Sequence, residues 1–411
     1  MVRLLLILLL YTTMVNAQSS PFEFRALCTP SNQTPADYSI ENTHNVDNDW
    51  GLWGHNLWRI VGKKTPYSMC AVINGQRDES QYCFSAPILY NKVVEWIMDQ
   101  WGPKGARFSI LPQDNKKSCQ CQACRVRGNT ATNATPAVAE FVTKLAKRFP
   151  GHVFYMAAYH STMEPPTKPL PKNTGVFLTT MTIPFRYIFN ESGGYRKFDA
   201  TMKAWKKMTP RIYVWEYDRN FDDYLSPYPC LSILQERFRY YRNAGIKGIF
   251  INGSGDDYSS FDDVQSYVLS KLMMNPDANV DALVRQFYEK YFPVAGKMIG
   301  DYYLSLEKRV RDTNRVLPYY GTIEEEQEAY LNKQEFTDFW IALDKKSKSI
   351  EGPERQRVNQ MLTAFAYTRL MLKPTPDDRA EMLLILKDYK SVPRLERYKE
   401  TGGFLEELIK K

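Results

Sequence analysis

Between residues 66 and 275, short apolar runs alternate with longer amphipathic stretches. The runs are Tyr67–Ile73, Arg107–Leu111, Val153–Tyr159, Val176–Ile183, Ile212–Trp215 and Gly248–Ile251. Most are apolar on both faces, as parallel strands buried between two layers must be. Helix candidates lie between them: Ala86–Trp101, Ala137–Arg148, Lys197–Met208 and Leu231–Ala244. This alternation predicts parallel βα units. Six runs fall short of the eight or so that close a full (β/α) barrel.

From residue 276 the period becomes purely helical. Val280, Leu283, Val284, Phe287 and Tyr291 form one stripe, and Phe336, Phe339, Trp340 and Leu343 form another. Such stripes are core faces. The expected fold class is therefore α/β: a (β/α) barrel-like domain over 51–275, either a shorter closed barrel or one that lacks its leading strands, then an all-α domain over 276–411. Residues 18–50 are polar and turn-rich and read as an N-terminal extension.

Residues 1–17 have a different pattern. Arg3 precedes the apolar run Leu4–Leu10, and Val15-Asn16-Ala17 is a small-x-small cleavage signal. That order predicts a secretory signal peptide and a secreted or periplasmic protein. The run is too short for the roughly 20 residues that a bilayer requires. No second long apolar run follows, and no Cys stands at the cleavage site as a lipid acceptor, so stable membrane insertion is not expected.

The net charge of +8 is spread along the chain without a dense basic block, which argues against a nucleic-acid face. No Gly-x-Ser-x-Gly, Ser–His–Asp order or phosphate-binding glycine loop is present. The aromatic content of 14 % suits both core packing and the apolar faces of sugars.

In parallel βα folds the chemistry gathers at the carboxyl ends of the strands. There the sequence places Arg77, the pair Asp114-Asn115, Tyr159-His160 with Glu164 beyond, Trp215-Glu216-Tyr217, and Asn252. Carboxylates with amides and aromatics, but no phosphate cradle, suit glycoside hydrolysis. That reaction needs an acid for the leaving oxygen and a second negative group for the oxocarbenium-like state. Glu216 and Asp114 directly follow apolar runs and are the leading catalytic candidates, with Glu164 as a third. The remaining seven are candidate substrate contacts. No cofactor and no metal is expected.

Cys119-Gln-Cys121-Gln-Ala-Cys124, with Cys83 as a possible fourth member, fits two disulfides or a metal site. Export and the lack of two separated pairs favour disulfides. Either way the cluster staples the loop after Asp114.

These stretches resemble a known family. Ile73-Asn-Gly-Gln-Arg77, Gln81-Tyr-Cys83, Pro112-Gln-Asp-Asn115 and the Cys119–Cys124 run match in order. They are followed by Tyr159 with Pro165-Pro166, Trp215-Glu-Tyr217 with Phe221, Tyr224 and Pro229, and Lys271-Leu-Met-Met-Asn-Pro276. Over residues 53–308 the chain resembles the domain-of-unknown-function family 4838, associated with glycoside hydrolase family 163. The resemblance implies a barrel related to hexosaminidase-like hydrolases and endo-β-N-acetylglucosaminidase activity on N-glycans. It also implies that Arg77, Asp114, Asn115, Trp215 and Glu216 line the site. The expected partner is a glycan or glycoprotein, and the substrate's own acetamido group is a candidate nucleophile. In that scheme Glu216 or Glu164 is the acid and Asp114 the orienting group. The alternative is a non-catalytic glycan-binding protein with a truncated barrel.

Overall fold

The computed structural model describes residues 20–33, 40, 43–44, 46–103 and 105–410. The expected signal peptide lies outside them. Among the described residues no helix is long and apolar enough to cross a membrane.

Among the described residues, eight strands form two sheets. In chain order they are β1 (Phe24–Cys28), β2 (Cys70–Ile73), β3 (Gln76–Tyr82), β4 (Arg107–Ser109), β5 (Val153–Ala158), β6 (Thr174–Thr179), β7 (Arg211–Tyr217) and β8 (Gly248–Asn252). Six make one sheet in the order β1-β8-β7-β6-β5-β4, parallel throughout. It is an incomplete barrel rather than a shorter closed one, and an all-helical region follows it.

One member of the sheet differs from expectation. The Tyr67–Ile73 run joins no barrel; its end pairs antiparallel with β3 in a separate hairpin. The sheet instead takes β1 from residues 18–50, which the sequence pattern sets apart as an extension. At five residues, Phe24–Cys28 is too short and too interrupted by Arg25 to show a period.

The chain after β1 spans the gap between the edge strands. The His44 N–H donates to the Arg25 carbonyl at 2.6 Å, while the Gly51 N–H donates to Arg107 O at 2.8 Å. Ser109 N–H returns a bond to Leu52 O at 2.8 Å. Isolated bridges Ala26–His44 and Leu52–Phe108 mark the two contacts. Short irregular chain thus stands where further strands would close a barrel.

Side chains of a strand alternate between faces. The outward rows pack against the helices in the larger core. The inward rows form a second, mostly aromatic core: Phe24, Tyr155, Phe177, Tyr213 and Phe250, plugged by Trp50 and Trp53. Trp53 stacks on Trp215 at 5.2 Å and meets Phe250 edge-on at 4.6 Å. Gly248 leaves room for this packing, since a Cβ there would lie 2.7 Å from the Tyr213 ring. The filled interior supports whatever sits on top of the inward rows.

The helical region does not stand apart. Phe221 N–H donates to Tyr319 O at 2.7 Å, Tyr224 N–H to Tyr398 O at 2.7 Å, and Glu400 N–H to Phe221 O at 2.8 Å. Asn220 adds side-chain bonds of 2.9 Å to Gly321 O and to Glu326 Oε1. The loop after β7 is therefore where two loops of the helical tail dock.

Candidate functional site

The tops of the inward rows open into a pocket of about 580 Å³. Its floor is Leu111, Ala157, Phe177 and Trp215, and its walls include Tyr159, Thr179, Tyr217 and Asn252. These residues lie in the last three positions of β5, β6, β7 and β8 or one to two residues after β4 and β5, so the pocket lies at the carboxyl ends of the strands, where such folds place their chemistry. A larger, shallower hollow on the helical tail has one carboxylate, Glu328, in its wall and lies away from the strand ends.

Two carboxylates reach the pocket, Asp114 and Glu400. Asp114 follows β4 in the loop after Pro112. Its Oδ1 stands 3.8 Å from His160 Nε2. His160 stacks on Tyr159 at 3.7 Å and has φ +47°, a left-handed backbone uncommon outside glycine. Burial lowers the His160 pKa, and Asp114 opposes that shift. The neutral ring is thus favoured at the rim. Glu400 comes from the other wall, where it accepts from the Tyr320 hydroxyl at 2.9 Å.

The Tyr159 hydroxyl feels both acids. Burial raises its pKa first, then Asp114, with Glu400 adding to the same direction. Burial also raises Tyr217 and Tyr320, with Glu400 assisting in the latter. These phenols remain protonated donors at physiological pH. His55 completes the wall, its Nδ1 2.6 Å from Pro112 O. A carbonyl only accepts, so Nδ1 carries the proton; in the neutral ring Nε2 is then the acceptor.

The structure brings Asp114, Tyr159, Trp215, Tyr217 and Asn252 together at this pocket, with His160 touching Asp114. It separates the others. Glu216 is fully buried on the opposite, helix-facing row of β7, one residue out of phase with Trp215 and Tyr217. Its Oε1 accepts from Arg237 Nη1 at 2.8 Å and from Tyr241, and its Oε2 from Thr180 Oγ1 at 2.9 Å and Tyr217 N–H at 3.0 Å. The expectation that Glu216 is a catalytic acid is corrected on that ground, since a glycan reaches neither oxygen. Glu164 is exposed on an outer loop and accepts from Asn133 at 3.0 Å, outside the pocket. Arg77 lies on the hairpin, donating to Cys70 O at 2.6 Å over the Tyr67 ring. Asn115 is a loop brace, bonded to Gln81 at 3.0 Å and to Ser80 O at 2.8 Å.

His55, Tyr320 and Glu400 carry no mark in the sequence pattern. His55 follows the irregular segment beside β4, which has no strand signature. Tyr320 and Glu400 belong to loops of the helical tail, far along the chain from any strand end. The signal that could have found His55 is its place just after Trp53-Gly54, where a positive-φ glycine turns the chain beyond a buried ring.

The cysteines gather as expected but are not bonded. Cys83, Cys119, Cys121 and Cys124 form no disulfide and present their sulfurs within 4.8 Å of one another.

A family profile described as "Domain of unknown function (DUF4838)" matches residues 12–304. The chain belongs to the DUF4838 family. The match takes in all eight strands, so the pocket floor, Asp114 and Tyr159 lie within the DUF4838 region, while Tyr320 and Glu400 lie beyond it. No curated protein matches this DUF4838 chain. Among solved structures, a Thermobaculum terrenum O-GlcNAc hydrolase mutant is similar at a TM-score of 0.38 and 11 % identity, over 80 % of this chain and 75 % of that one. A GH138 enzyme targeting pectin rhamnogalacturonan II is similar at 0.34 and 8 %, over 95 % and 82 %.

Proposed function

We propose that this DUF4838 protein is an exported glycoside hydrolase acting on N-acetylglucosamine-containing glycans, in the manner of an endo-β-N-acetylglucosaminidase on N-glycans. The observation that carries the reading is the meeting of Asp114 and Glu400 over an aromatic floor at the strand ends. Trp215 and Phe177 offer apolar faces to a sugar ring, while Tyr159, Tyr217, Thr179 and Asn252 offer donors and acceptors to its hydroxyls. Hydrolysis of a glycosidic bond needs two such acids and no cofactor.

In this reading Asp114, held beside Tyr159 and His160, orients the 2-acetamido group and supports the positive charge that develops as it attacks C1. Glu400, held by Tyr320, delivers the proton to the leaving oxygen and then takes one from water. Both roles are positional as well as electrostatic: the Tyr320 hydroxyl holds Glu400, and Asp114 stands beside the Tyr159 and His160 rings.

The test is release of glycans from a complex N-glycoprotein, read by mass spectrometry. Asp114→Asn and Glu400→Gln should each lower turnover by a factor on the order of 100 or more, in the range typical of general acid–base groups. Glu164→Gln should leave it near wild type. Full turnover in the Asp114→Asn, Glu400→Gln double variant overturns the assignment. Glycan binding by the wild-type protein without any turnover establishes the binding-only alternative instead.

A further inference from the structure

Cys83, Cys119, Cys121 and Cys124 are four sulfur donors from two separate parts of the chain. Cys83 follows β3 of the hairpin. Cys119 and Cys121 lie in the loop after β4, and Cys124 sits in the first turn of helix Gln122–Arg127. We propose that these four cysteines form a structural zinc site that pins the hairpin to the loop carrying Asp114.

The spacing of the sulfurs carries the argument. Cys83 Sγ stands 3.7 Å from Cys121 Sγ and 3.8 Å from Cys124 Sγ, and all four lie within 4.8 Å of one another. A tetrahedral site with Zn–S bonds of about 2.3 Å has S···S edges of about 3.8 Å. A disulfide requires its two sulfurs at about 2.05 Å. Four sulfurs mutually close in one cluster are the arrangement of a tetrathiolate, whereas disulfides draw them into two tight pairs.

Backbone amides treat two of the sulfurs as acceptors. Val72 N–H points at Cys119 Sγ at 3.2 Å, and Cys124 N–H at Cys121 Sγ at 3.4 Å. Cys124 Sγ donates to Ser85 Oγ at 3.0 Å, a hydroxyl that rotates to donate once Cys124 is a thiolate. Such N–H and O–H bonds to ligand sulfur fix a thiolate and moderate its charge. The Cys121-x-x-Cys124 turn supplies one ligand pair, with Cys121 capping the helix that Cys124 enters. Cys119 and Cys83 supply the other. Fold geometry thus provides the second separated pair that the linear run Cys119–Cys124 lacks. Cys83, Cys119 and Cys124 are buried and Cys121 half-buried, so four protein ligands fill the coordination sphere and leave no position for a substrate. The role is therefore structural.

The position gives that role a consequence. Gln81, two residues before Cys83, accepts from Gln113 N–H at 3.0 Å and donates to Asn115 Oδ1 at 3.0 Å, on either side of Asp114. A metal at the cluster would hold both ends of this network.

The inference does not rest on the glycosidase reading, and its test does not use activity. The full chain is expressed with zinc in the medium and purified without chelator or reductant. Native mass spectrometry and elemental analysis should find one zinc per chain, its mass offset by the loss of ligand protons. Cobalt substitution should give the charge-transfer and d–d bands of a tetrahedral tetrathiolate. Cys121→Ser, at the half-buried ligand, should lower zinc retention and the melting temperature; should that variant fail to fold, the wild-type mass and cobalt spectrum decide alone. Two disulfides in the metal-free wild-type chain overturn the proposal, as do four alkylatable thiols in a chain that carries no zinc.

Discussion

Replacing Glu216 with Gln separates a structural carboxylate from a catalytic one. Glu216 and Arg237 are both fully buried. Burial opposes the Arg237 charge, yet Glu216, with the Tyr319 and Tyr241 hydroxyls, more than offsets it and holds the guanidinium pKa above its ordinary value. Phe185 adds a ring face 4.9 Å from the cation, and the guanidinium also donates to Ile183 O and Pro184 O at 3.1 Å. Gln would remove the charge and turn a donor toward Arg237 or Tyr241. Breaking a buried pair from one side costs roughly 3–5 kcal/mol, because the remaining charge is left uncompensated. With an unfolding entropy of about 2.1 cal/mol/K per residue, 411 residues unfolding as one unit lose about 1 °C of melting temperature per kcal/mol. Glu216→Gln should therefore melt about 3–6 °C lower by calorimetry. Well below that transition its glycan release should match the wild type. A Glu216→Met, Arg237→Met double variant should recover part of the loss, since it removes both charges. An unchanged melting temperature with turnover reduced a hundredfold would refute the structural role and return Glu216 to the chemistry.

Two further outcomes follow from the same contacts. Asp223 is buried beneath the docked tail, and burial raises its pKa to about 6 from an ordinary 3.8. A raised carboxyl pKa means the folded state holds its proton where the unfolded chain has released it. Its stabilising contribution is thus complete below about pH 4 and lost as pH rises to about 6, a change of roughly 3 kcal/mol. Glu326, fully buried beside it and also raised, acts with the same sign. Asp223→Asn should flatten the fall in stability between pH 4 and 6 in urea titrations; an unaltered slope would exclude Asp223 as its source. Separately, Tyr159→Phe removes the hydroxyl beside Asp114 and should lower kcat about tenfold or more with the melting temperature retained, since the ring stack on His160 survives.

The parts of the fold legible in the sequence are those with a period. Runs at β4 to β8 are apolar on both faces because helices cover one side and the aromatic plug fills the other, so they read as buried strands. The tail stripes, such as Phe336, Trp340 and Leu343, are equally plain, and all are buried. β1 is not legible, because its place is fixed by pairing with Gly248–Asn252 rather than by local pattern. The site divides along the same line. Asp114, Tyr159, Trp215, Tyr217 and Asn252 follow or end strands and are reached by the rule that chemistry lies at strand ends. Glu216 obeys that rule too, yet faces away. The end of a strand gives two directions, and the one-residue phase that decides between them was readable from Tyr213, Trp215 and Tyr217, which share the inward row. Glu400 and Tyr320 arrive through tertiary docking, for which no local pattern exists.

That docking has a testable weight. Asn220 touches no pocket atom, but its amide holds the tail loop. Nδ2 donates to Gly321 O and to Glu326 Oε1 at 2.9 Å, and Oδ1 accepts from Gly321 N–H at 3.2 Å. One residue earlier in that loop is Tyr320, which in turn holds Glu400. Asn220→Ala removes these bonds and leaves the Glu326 carboxyl, whose Oε2 already has no partner, without a donor for Oε1. An unpaired buried polar group costs about 1–3 kcal/mol, so stability should fall. The sharper outcome is kinetic. If the pocket is completed by the tail, loosening the loop displaces Tyr320 and Glu400 together, and turnover should fall severalfold more in Asn220→Ala than in a core variant of equal stability loss such as Leu343→Ala. If both variants retain wild-type turnover below their transitions, the tail only covers the barrel, and the second carboxylate must be sought among the residues that the strands themselves supply.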